Sequence, residues 1–203
     1  MIKKLGKKEI DIVASAYKLG KVAVIPTDTV YGITCRALDK KAVLNLYKLR
    51  KRDLDKPFII LVSSLKDLDL FGIEVKNDQQ KWLKDIWPEK VTVILNCNDK
   101  RFKYLYREKR SLAFRMPNEK WLLKLISLVG PIVAPSANLQ GFDPAETVAE
   151  AYEYFDEKAV YIDAGKLKSK PSTIVSLEDD CKIIRQGSFK IKKNEYFRPS
   201  INN

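Results

Sequence analysis

Four consecutive apolar residues, Val22, Ala23, Val24 and Ile25, stop at Pro26. So short an unbroken run marks a strand buried on both faces, as found inside an α/β sheet. Proline has no N–H for a ladder and restricts the residue before it, so the strand is expected to end there. Beyond it Thr27, Asp28, Thr29 and Tyr31 crowd hydroxyls and one carboxylate at the strand's carboxyl end. Open α/β sheets hold ligands at that end. An Asx or Ser/Thr turn accounts equally well for these residues without any ligand.

The remaining chain repeats this grammar. Lys7–Leu19, Asp39–Lys51, Asn77–Trp87 and Glu119–Leu128 carry apolar residues at helical spacing, and Thr147-Val148-Ala149-Glu150 is a capping box opening a helix to about Phe155. Between them, Phe58–Val62, Val91–Leu95, Leu112–Met116 and Ile132–Ala134 read as strands. Val160–Asp163, Ser172–Val175 and Lys182–Arg185 follow with little helix between them, which argues for mixed strand directions. The expectation is α/β: a single domain over residues 1–203, with a twisted mixed β-sheet flanked by helices. Its core should span about 8–187, with a polar, basic tail from 188 to 203.

Composition narrows the chemistry. A formal charge of +12 points toward anionic partners, although a lysine-rich surface has the same signature. No continuous apolar stretch reads as a signal peptide or membrane span, and three widely spaced cysteines suit a reduced, cytoplasmic protein. The chain contains no histidine. That removes Ser-His-Asp and Cys-His catalysis, histidine zinc sites and imidazole proton shuttles, and no residue is assigned to a metal. Hydroxyls, carboxylates, Lys, Arg and backbone groups remain, an inventory suited to positioning and charge neutralisation in phosphoryl or nucleotidyl transfer.

Four polar clusters supply such groups. Arg50-Lys51-Arg52-Asp53-Leu54-Asp55-Lys56-Pro57 is either a solvated basic loop or a polyphosphate clamp. Arg115, in Phe114-Arg115-Met116-Pro117, ends an apolar strand and needs an anionic partner, structural or bound. Ala134-Pro135-Ser136-Ala137-Asn138 puts small polar groups on a turn after a buried strand, and Ser172-Thr173 pairs with Arg185-Gln186-Gly187. Neither a P-loop nor a dinucleotide fingerprint is present.

In this order P-T-D-T-V-Y-G, R-K-R-x-x-D-K-P, F-R-M-P, A-P-S-A-N-L-Q-G, P-S-T-I-V and I-I-R-Q-G resemble the YrdC-like family of threonylcarbamoyl-AMP synthases, from about Ile10 to Gly187. The length is similar to the family's short form. The resemblance implies a YrdC-like fold with a concave basic face. It implies that L-threonine, bicarbonate and ATP give threonylcarbamoyl-adenylate and pyrophosphate, usually with Mg²⁺. Transferase partners then modify an adenosine of tRNA. Carried over by position, Arg52 and Lys56 are the catalytic phosphate contacts, and Arg50, Ser136, Asn138, Pro144 and Arg185 complete the ATP site. Thr29, Leu61, Arg115, Ala134 and Ser172 fall to threonine, with Arg115 pairing its carboxylate. Arg50 stands where the family commonly has lysine.

A second reading is an RNA-binding module without catalysis, contacting double-stranded RNA or tRNA. Lys100, Arg101, Lys103, Arg107, Lys109 and Arg110 are interleaved with Phe102, Tyr104 and Tyr106, which could grip phosphates and stack on bases. The alternative is a charged loop whose aromatics close a core edge.

Overall fold

The computed structural model describes residues 2–4 and 9–191. Ten strands form one sheet: β1 (Ile2–Lys4), β2 (Val22–Pro26), β3 (Tyr31–Arg36), β4 (Ile59–Leu61), β5 (Val91–Asn96), β6 (Ser111–Arg115), β7 (Ile132–Val133), β8 (Ala159–Asp163), β9 (Thr173–Ser176) and β10 (Lys182–Arg185). The helices are α1 (Glu9–Lys18), α2 (Lys40–Leu49), α3 (Asn77–Ile86), the short α4 (Lys103–Tyr106), α5 (Lys120–Val129) and α6 (Val148–Phe155). The sheet order is β1-β8-β2-β3-β7-β4-β6-β5-β9-β10, with parallel and antiparallel pairs mixed as expected.

β2 is buried along its whole length, and its alternation divides the core. Val22 and Val24 face one apolar cluster, packed by Val43, Leu46 and Tyr47 of α2 and by residues of α3 and α6. Ala23 and Ile25 face the other, where α1 and α5 bring Val13, Tyr17, Leu122 and Ile126. Period-2 side chains against two helical layers are what a strand buried on both faces requires.

β2 ends at Pro26 as expected, and that last residue lies opposite Tyr31 in an antiparallel hairpin with β3. Two other features differ from the sequence reading. β3 occupies a stretch to which the sequence reading gave no element: Thr34, buried and polar, satisfies its hydroxyl on Ala23 O at 2.8 Å. The stretch from 188 does not begin as a surface tail, since Ser188 N donates to Pro171 O at 2.9 Å and Ile191 is buried against the main cluster. Residues 192–203, the rest of that expected tail, lie outside the described residues, as do residues 7 and 8 at the start of the expected first helix.

Candidate functional site

The hairpin between β2 and β3 makes one wall of a cleft. Thr27 holds it shut, its Oγ1 donating to Val30 O at 2.7 Å and accepting from Thr29 N at 3.1 Å. The turn after β7 lies alongside: Ile33 N donates to Pro135 O at 3.0 Å and Ala137 N to Tyr31 O at 2.8 Å. The opposite wall comes from the loop after α2, the start of β4, and the segments flanking β9 and β10. Between them is a cavity of about 410 Å³, lined by Thr27, Thr29, Arg50, Arg52, Arg115, Ala134, Ser136, Pro144, Ser172 and Arg185 among others. The carboxyl ends of β2, β6, β7 and β10 contribute, and so do the leading ends of β3, β4 and β9. Antiparallel neighbours bring opposite strand ends together, so the carboxyl-end rule covers only half the site.

Four guanidinium groups therefore meet in one concavity whose lining contains no carboxylate. Each is held differently. Arg50 follows the last turn of α2, where helix carbonyls favour a cation. Its Nε donates to Asn138 O at 3.0 Å and its Nη2 to Asn138 Oδ1 at 3.1 Å, while Nη1 is buried without a partner. Burial, with Arg52 close by, pushes the Arg50 pKa down to about 10, so it stays charged at neutral pH. Arg52 donates to the carbonyls of Lys56 at 3.0 Å and Pro57 at 3.3 Å and lies over the Phe58 ring. Arg185 donates to Ser172 O at 2.9 Å, and Ser172 Oγ meets Thr92 Oγ1 at 2.9 Å. Burial lowers the pKa of Arg52 and Arg185 as well.

Arg115 is the most deeply set. Its Nη2 lies 3.0 Å from Asp28 Oδ1, and the two side chains are 5% and 2% exposed. Both Asp28 oxygens and Arg115 Nε nevertheless lack a hydrogen-bond partner, so the pair is Coulombic and not directionally aligned. Burial depresses the Arg115 pKa, with Asp28 opposing that and Arg185 adding to it. The anionic partner that Arg115 required is thus a structural carboxylate, from the segment read as a turn.

Three assigned residues are not on the cleft surface. Leu61 is fully buried in the apolar cluster shared with α1 and α5, whereas Ile59, on the same face at the leading end of β4, reaches the cleft. Asn138 is buried behind the lining: Oδ1 accepts from Ser136 Oγ at 2.6 Å and Nδ2 donates to the Leu139 and Phe142 carbonyls, so it braces Arg50 and the turn. Lys56 turns to Asp53, 2.6 Å away, in a half-exposed ion pair. Phe58, Ile59, Ser169 and Pro171 line the cleft without having been singled out. The apolar pair carries no sequence signal separating it from core, and the other two sit in a loop of ordinary composition.

The basic 100–110 stretch also resolves. Phe102 and Tyr106 are each 6% exposed and pack into the core, so these rings close an edge and are not offered to bases. Among the described residues no three His, Cys, Asp or Glu side chains converge, and the polar lining of the cleft consists of cations and hydroxyls. Among the described residues no helix is long and apolar enough to cross a membrane.

The Sua5_yciO_yrdC family model, described as telomere recombination, matches residues 15–187. The threonylcarbamoyl-AMP synthase of Pyrococcus abyssi is 32% identical over 175 residues, 84% of this chain and 51% of that protein, so the chain spans about half of that relative. The threonylcarbamoyl-AMP synthase of Vibrio campbellii is 29% identical over 186 residues, covering 89% of this chain and all of the relative. The crystal structure of P. abyssi Sua5 complexed with L-threonine superposes with a TM-score of 0.86 at 30% identity, over 96% of this chain and 58% of that one.

Proposed function

The chain belongs to the Sua5/YciO/YrdC family, and from that membership we propose that it is an L-threonylcarbamoyladenylate synthase, a nucleotidyltransferase using ATP. The observation that carries this reading is the convergence of Arg50, Arg52, Arg115 and Arg185 on one cavity of about 410 Å³ with no lining carboxylate. A triphosphate is the ligand whose charge such a cluster matches, and planar guanidinium forks suit phosphate oxygens.

In the proposed reaction the threonine amine attacks bicarbonate carbon, and water leaves to give the N-carboxylate. One oxygen of that carbamate then attacks the α-phosphorus of ATP, and pyrophosphate departs. Both steps gather anions in one place, where fixed cations lower the barrier without a protein nucleophile. Arg50, Arg52 and Arg185 hold the phosphates, and Ser136 and Pro144 line the nucleotide side. Thr29, Ala134 and Ser172 hold threonine, and Arg115 takes its carboxylate on the guanidinium edge that Asp28 leaves open. Lys56 joins by leaving Asp53. An exposed pair of that kind is weak and screened by solvent, and a triphosphate overcomes it. Asn138 acts through Arg50. In this reading the product serves threonylcarbamoyl transferases that modify tRNA in the cytoplasm.

Purified protein with ATP, bicarbonate and threonine should release pyrophosphate, and Arg52→Ala should lower the rate at least about a hundredfold with an unchanged circular dichroism spectrum. Release that ignores threonine, or that is equal with alanine, would remove the substrate assignment.

A further inference from the structure

A second basic concavity lies outside the cleft. It encloses about 440 Å³ and is lined by Asn98, Lys100, Lys103, Arg107, Glu108 and Arg110, with the Tyr106 ring at its wall. Four cations face one carboxylate there. Glu108 is only 3.7 Å from Lys103 with both side chains largely in solvent, a contact that neutralises little. The nearby Asp99 is occupied by Arg101 at 2.6 Å.

Two features of Arg107 separate this place from an ordinary solvated loop. Its Nε and Nη2 are buried without any hydrogen-bond partner, although buried guanidinium donors normally find an acceptor. Its backbone, like that of Arg110, sits at positive φ, 57° and 52°, a conformation that side-chain-bearing residues adopt at a cost. Both arginines line the same pocket.

Arg107 also ends a stack that reaches the cleft. Its guanidinium carbon lies 4.1 Å from the Tyr47 ring centre, and Phe58 stacks on Tyr47 at 4.0 Å. Two groups that close cannot share one face of the ring, so Tyr47 is sandwiched between them. Arg52 then lies over Phe58 at 5.2 Å, and Tyr47 Oη donates to Lys56 O at 3.1 Å. The two basic concavities are thus joined by two stacked rings.

We infer that this pocket is a second oxyanion site, which takes a phosphate group on Lys100, Lys103, Arg107 and Arg110. Tetrahedral phosphate oxygens match the charge and fork geometry of these four converging cations, and the pocket's net positive charge excludes cations. The buried state of Phe102 and Tyr106 assigns it the phosphate alone, with no base stacked beside it. The inference does not depend on the synthase reading.

The test compares the full chain carrying Arg52→Ala, which weakens the cleft, with the same chain also carrying Lys103→Ser and Arg110→Asn. Lys103 and Arg110 are exposed, and asparagine tolerates positive φ, so the fold is preserved. Pyrophosphate is titrated into each by calorimetry, and a short RNA duplex in parallel. Pyrophosphate binding weakened about tenfold or more by the added pair places a free phosphate in the pocket. Weakening of RNA binding alone assigns the same pocket to a phosphodiester. Binding of both probes unchanged by the added pair overturns the site.

Discussion

Arg115 and Asp28 show how much one contact decides. A guanidinium only 5% exposed at the end of an apolar strand is tolerable only beside an opposite charge, and Asp28 supplies it at 3.0 Å. The pair is not hydrogen-bonded, so its worth is Coulombic, and removing one partner leaves the other charged in a poor solvent. Asp28→Asn should therefore cost about 3–5 kcal/mol of stability in urea unfolding without ligand, a range typical of broken buried pairs. The double variant Asp28→Leu/Arg115→Met should recover much of that loss. A loss below about 1 kcal/mol in Asp28→Asn would mean that water or another acceptor already serves Arg115.

At the scale of elements, the cleft depends on how closely β10 crosses the approach to β9. Gly187 lies directly after Arg185 and Gln186, and a Cβ there would overlap the Pro171 carbonyl oxygen and the Ser172 backbone. Gly187 N also donates to Thr173 Oγ1 at 3.0 Å, which fastens the crossing. Gly187→Ala must push the strands apart and carry Arg185 away from Ser172 O. Turnover measured as pyrophosphate release should fall by about tenfold or more, since ångström-scale misplacement of a positioning group has effects of that size. Secondary structure by circular dichroism should persist. Full activity in this variant would show that the crossing does not set the position of Arg185. The opposite wall is organised by α2, which Asp39 caps through Ala42 N and whose last turn delivers Arg50 to the cleft.

For the molecule as a whole, four gathered cations in a +12 chain are a standing repulsion that an anionic ligand relieves. ATP with threonine at about a hundred times Kd should add roughly 2.7 kcal/mol, which raises Tm by about 5–10 °C in a chain of this size. Raising the salt should shrink that shift, and differential scanning calorimetry reads both. An unchanged Tm would mean that the four arginines do not act on one ligand. Much of this arrangement was legible in the chain. Val22–Ile25 announced a central strand because an unbroken apolar run needs burial on both sides whatever its neighbours are. Arg115, the Ala134–Asn138 turn and the basic loop after α2 announced themselves because charge and small polar groups beside buried strands must be answered by something. What answered them was not legible. Tyr31–Arg36 hid a strand, since Gly32 and Thr34 break the apolar pattern and Thr34 is satisfied only by a carbonyl of β2. Likewise Leu61 went to the core and Ile59 to the cleft, Lys56 found Asp53, and Asp28 found Arg115 across 87 residues of chain. The sequence by itself determined which groups needed partners, because burial and charge are local properties of residues. Only the tertiary structure decided which partners they met, because the order β2-β3-β7-β4-β6 sets which side chains share a cavity, and that order comes from pairing between distant segments.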